Sequence, residues 1–149
     1  MRRTVIFVLV ISVTFCCGSC RRLPDRPEGM PELTPCTIEV TFGGERLADV
    51  GVLLAPKNTG NGTPTVWPAG GKTDVNGKAV MKTAAHYTGV VPGEYVVSFE
   101  KYAPEDMRRD GMPLPAKPLV PLKYSQKQSK EIVTVVKTQA VYNFELDAL

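Results

Sequence analysis

Few side chains in this sequence are of the kinds that do chemistry. There is one histidine, His86, one tryptophan, Trp67, and four cysteines. A zinc-type site needs three or four converging nitrogen, sulfur or carboxylate ligands, and His86 has no second histidine to join it. Asp74-Val75-Asn76-Gly77 begins like a calcium loop, but Lys78 follows and the next glutamate is Glu94. The better reading is a turn in which Asp74 bonds local backbone. Trp67 and Tyr87 offer aromatic surface on which a sugar ring or a protein partner could sit. The alternative for Trp67 is a plug beneath its own loop. No cofactor and no metal is expected.

The cysteines carry more information. Arg2-Arg3 forms a positive start, and residues 4–15 are almost continuously apolar. That run is too short to span a bilayer and has the length of a signal-peptide core. Cys16-Cys17-Gly18-Ser19-Cys20 comes next, and small residues before a cysteine resemble a bacterial lipobox. The resemblance implies lipidation of Cys20, with cleavage before it, although Cys17 stands where an aliphatic residue is usual. Membrane attachment through several acyl chains on Cys20 is then expected. Arg21 rather than aspartate follows Cys20, which favours an outer membrane of a cell envelope. Cys36 is left alone at the start of a strand, as a small apolar side chain.

Of 18 basic side chains, Arg2 and Arg3 leave with the signal, and the remaining 16 nearly balance 15 acidic ones. Such a balance leaves no electrostatic footprint for nucleic acid. Lys123 to Lys130 reads as a solvated approach to a strand. Asn61-Gly62-Thr63 has the form of a glycosylation acceptor, which a bacterial lipoprotein would rarely use.

The elements that must position these residues are strands. With 13 glycines and 13 prolines in 149 residues, the chain bends often, as sheets with many turns require. Residues 20–35 carry four prolines and read as an extended tether after the 1–19 signal. From 36 to 149 the pattern is one domain. Alternating apolar positions mark strands near 37–42, 50–54, 94–102, 131–136 and 141–146. Asn76-Gly77 predicts a two-residue hairpin turn joining a strand near 70–75 to a return strand at 79–83. Residues 57–68 and 103–122 are long Pro-rich loops. The expectation is an all-β, seven-stranded Greek-key β-sandwich.

Several segments, in order, resemble the carboxypeptidase regulatory-like domains with their transthyretin-like (prealbumin-like) sandwich. They are Gly43-Gly44-Glu45-Arg46-Leu47-Ala48-Asp49-Val50, Leu53-Leu54-Ala55-Pro56, Thr73-Asp74-Val75-Asn76-Gly77-Lys78, Pro92-Gly93-Glu94-Tyr95-Val96-Val97, Pro121-Leu122-Lys123-Tyr124-Ser125, and Tyr142-Asn143-Phe144-Glu145-Leu146. The match resembles in particular small bacterial lipoproteins in which such a domain follows a lipobox. It implies a non-catalytic seven-stranded module; a protein or glycan partner, met through strand edges or the two long loops, is a separate expectation. Enzymes of related fold use histidine and tyrosine sets that a single His86 does not supply.

Overall fold

A computed structural model of the chain describes residues 26–57, 67–104 and 114–147. The described residues form two packed sheets. The first has β10 (Val141–Leu146) beside β1 (Thr37–Phe42). The other side of β1 is shared by β2 (Glu45–Arg46) and β5 (Lys78–Val80). The second sheet runs β7 (Tyr87–Thr88), β6 (Lys82–Thr83), β4 (Ala69–Lys72), β3 (Gly51–Pro56), β8 (Gly93–Glu100), β9 (Glu131–Val135). An all-β sandwich is therefore the fold. Among the described residues ten strands stand where seven were expected, because several are only two or three residues long.

Alternation places the core. Ile38 and Val40 of β1, Val52 and Leu54 of β3, and Tyr95, Val97 and Phe99 of β8 are all buried. Val133 and Val135 of β9 and Tyr142 and Leu146 of β10 join them. Every second side chain of a strand faces the same way, so each strand lends one face to the interior. Phe99 stacks edge-on against Tyr124 at 6.3 Å and tilted against Phe144 at 5.2 Å. These rings anchor a short 3-10 turn at Leu122–Tyr124 and the last strand to the C-terminal end of β8.

The first and last strands pair in parallel, Thr37 opposite Val141 through Phe42 opposite Leu146. Chain entry is also fixed. Thr34 exchanges backbone bonds with Val90 at 2.8 and 2.9 Å, Met30 is buried, and Glu32 pairs with Lys137 at 2.8 Å. Packing thus reaches back to Met30, into the second half of the stretch expected to be a tether.

The hairpin expected at Asn76-Gly77 is corrected. The strands that flank this turn lie in different sheets: β4 pairs with β3 and β6, whereas β5 pairs with β1. The central residues are Val75 and Asn76, since Gly77 N–H bonds Asp74 O at 3.0 Å, and only Gly77 has positive φ, at 73°. Such a turn splays its strands rather than pairing them. The expected return strand also divides. Residues 78–80 belong to the first sheet and 82–83 to the second, with Met81 buried at the crossing. The tight hairpin lies instead at Thr83, Ala84, Ala85 and His86. His86 N–H meets Thr83 O at 3.3 Å, and both alanines take positive φ, 50° and 63°.

Candidate binding surface

The sheet crossing explains what the polar residues near Asp74 do. The Thr73 hydroxyl donates to Leu47 O at 2.7 Å and accepts Val50 N–H at 2.8 Å, and Thr73 is buried. It clamps the connection between β2 and β3. Asp74 Oδ1 accepts the N–H groups of Asn76 and Lys78 at 2.8 and 2.9 Å. Those bonds, that from Lys78 above all, hold the Asp74 carboxyl below its usual range. Gly77 O in turn accepts Val40 N–H at 2.8 Å. Gly71 is needed where β4 approaches β5, because a Cβ there would stand 3.0 Å from both Met81 Sδ and Val80 O. The carboxylate that suggested a calcium loop is a turn element, as the residues themselves indicate.

Sheet two carries a shallow trough on its outer face. Cross-strand partners share a face, and the register sets Ser98, Leu53, Gly70 and Lys82 in one row across β8, β3, β4 and β6. Towards β8 the trough encloses about 260 Å³, bounded by Gly51, Glu100 and Gln126. Towards β6 it encloses about 400 Å³, bounded by Pro68, Ala84 and Ala85. Glycine at 70 keeps the floor low: a Cβ there would meet only Val52 O, at 3.7 Å. The row offers an apolar floor with an ammonium group at one end, and a carboxylate and an amide at the other.

The sequence-predicted site residues fall as follows. Cys20, the whole 1–19 signal, Asn61-Gly62-Thr63 and most of the 57–68 loop lie outside the described residues, as do residues 105–113. Trp67 is half-buried and is followed directly by Pro68, at the β6 end of the trough. Tyr87 is half-buried opposite the buried Thr83, which places it on the inner face of sheet two, away from the trough. His86 is exposed in its turn. Cys36 is a free, buried thiol, and burial pushes it up to about 11.

Sequence reasoning missed the row itself. Its signal was Leu53, an apolar residue at an outward position between the inward Val52 and Leu54, opposite the Gly70-Gly71 pair.

Two other surface features stand out. Phe42 and the segment 118–123 border an apolar groove of about 450 Å³, with Leu119 and Leu122 exposed. The outer edge of β9 pairs with no strand among the described residues, and Ile132 and Val136 are exposed along it.

No protein-family model matches this sequence, and no curated protein matches it. One solved structure is similar, the crystal structure of BcpA, the major pilin subunit of Bacillus cereus. The likeness covers 76% of this chain and 29% of that one, at 15% identity and a TM-score of 0.36. This chain thus spans under a third of the pilin, and a likeness so distant carries no function across.

Proposed function

We propose that this chain is a lipid-anchored β-sandwich of a bacterial cell envelope, attached through Cys20, that binds a partner and does not catalyse. The observation that carries the reading is the order of the N-terminal sequence. A basic pair, an apolar run of signal length, small residues and Cys20 lead through a proline-rich stretch into a sandwich. The resemblance to carboxypeptidase regulatory-like domains supports a non-catalytic module. Arg21 favours an outer membrane. Labelling cells with radioactive palmitate tests the anchor: label is expected on the wild type and absent from Cys20→Ala. Label that persists in that variant overturns the site.

A second reading has its own observation. The row Ser98, Leu53, Gly70 and Lys82, ending beside Pro68, has the form of a sugar-binding platform, and Trp67 precedes Pro68 in the chain. Aromatic faces and flanking polar groups are what a pyranose ring uses. Oligosaccharide titration followed by Trp67 fluorescence tests it. A response abolished by Gly70→Val supports the platform, and no response to any glycan removes it.

A further inference from the structure

We infer that the outer edge of β9 pairs with the β9 edge of a second copy of this chain, antiparallel, about a two-fold axis through Thr134. The strand and the residues just after it are complementary to themselves in that register. Thr134 meets its own copy, Val133 meets Val135, Ile132 meets Val136, and Glu131 meets Lys137. Threonine pairs, β-branched pairs and opposite charges are the cross-strand combinations that stabilise a sheet, and here all occur together. A two-fold axis requires each contact to appear twice, so both ends of the joined strands carry a glutamate–lysine pair.

The edge is also open over residues 131–135. β9 pairs only with β8, and no other described strand covers its far side. Val136 N–H turns away from β8 to the Tyr142 hydroxyl, and Val136 O accepts Gln139 N–H, so pairing with Ile132 of the second copy replaces these two turn bonds. Backbone groups alternate sides along a strand, so those of Thr134 and Ile132 face outward as well. Edges of this kind are usually blunted by proline, a bulge or an inward charge. Residues 131–136 contain none of these, and Ile132 and Val136 are 49% and 38% exposed. Lys137 already holds Glu32 at 2.8 Å, on the surface. An ammonium group has three donors, so it can donate to the Glu131 carboxylate of the second copy as well. Pairing extends the six-stranded sheet into a continuous sheet across two molecules. The contact is narrow and therefore weak in dilute solution. If the proposed anchor holds the chain on a membrane, confinement raises the effective concentration and favours the pair.

Sedimentation equilibrium of the full-length chain in density-matched detergent tests this, with near-ultraviolet circular dichroism as the check on folding. The wild type is expected to dimerise. Glu131→Lys alone and Lys137→Glu alone each place like charges opposite one another twice, and should weaken the dimer by at least about tenfold. An equimolar mixture of the two variants restores both opposite-charge pairs and should regain wild-type association, which a folding defect would not do. Thr134→Pro removes an outward N–H that an isolated edge strand does not need, and should give a folded monomer. A monomeric wild type, a mixture no better than either variant alone, or a dimer that survives Thr134→Pro overturns the inference.

Discussion

The hydroxyl of Tyr142 accepts the Val136 N–H at 3.0 Å and donates to Gln139 O at 3.1 Å. One buried phenol thereby fixes the turn between β9 and β10, where the chain passes from one sheet to the other. Replacing it with Phe keeps the ring and removes both bonds. Tyr142→Phe should lower unfolding free energy by about 1–2 kcal/mol, read from urea denaturation. A midpoint unchanged from wild type would show that water serves these groups equally well.

Gly77 and Gly44 separate two reasons for glycine. Both have positive φ, 73° and 82°, but a Cβ at Gly77 would stand 2.7 Å from Val40 O, whereas one at Gly44 meets nothing within 4 Å. Gly44→Ala should cost about 1 kcal/mol, the strain of the left-handed conformation alone. Gly77→Val adds a β-branched side chain and a backbone clash where the chain crosses between sheets. It should cost at least about twice as much, measured by thermal unfolding of the two variants side by side.

Ala84 and Ala85 occupy a turn that prefers asparagine and glycine. The double substitution Ala84→Asn with Ala85→Gly should raise stability by about 1–2 kcal/mol, since each alanine carries left-handed strain. Melting temperature is the readout, and a fall would place the hairpin elsewhere.

Asp74 makes stability depend on pH in the acid range. Its carboxyl is held below the ordinary value of 3.8 in the folded state. The unfolded chain therefore takes up the proton first as pH falls. The contribution of Asp74 is complete above the unfolded value and disappears as pH drops through the folded one. Melting temperatures of wild type and Asp74→Asn should differ at pH 7 and converge as pH falls through and below the ordinary value of 3.8. Curves that remain parallel would mean that the charge contributes nothing.

Cys36 behaves in the opposite sense. Burial raises its thiol from 9.0 to about 11. Stability linked to Cys36 is complete below pH 9 and is lost as pH rises towards 11, because the unfolded chain ionises first. At pH 8 the folded protein should leave Cys36 unmodified by maleimide, and urea should expose it. Fast labelling of the native protein, mapped to Cys36 by mass spectrometry, would contradict its burial.

The long strands were legible in the sequence because each lends one face to the core. The alternation Ile38, Val40, Phe42 and the alternation Tyr95, Val97, Phe99 mark β1 and β8 within a residue or two. Sheet membership was not legible. Asn76-Gly77 carries the strongest local hairpin signal in the chain, yet Asp74 captures the turn and sends its two strands apart. The hairpin that does form uses Ala84-Ala85, for which no local preference exists, so tertiary pairing of β6 with β4 and β7 decides it. Leu53 and Gly70 could not be assigned to one row without the register of β3 and β4. The inner-face position of Tyr87 likewise follows only from its pairing with the buried Thr83.

The parallel pairing of β1 with β10 also sets how the domain responds to load. Tension on the N-terminal end of β1 and on the C-terminal end of β10 pulls two aligned strands in opposite directions along their length. Their hydrogen bonds, spanning six residue pairs, resist together rather than opening one at a time. For a domain pulled from Thr37 and from Leu146, the whole ladder is loaded in shear at once. The first and last strands of the sandwich form its mechanical clasp.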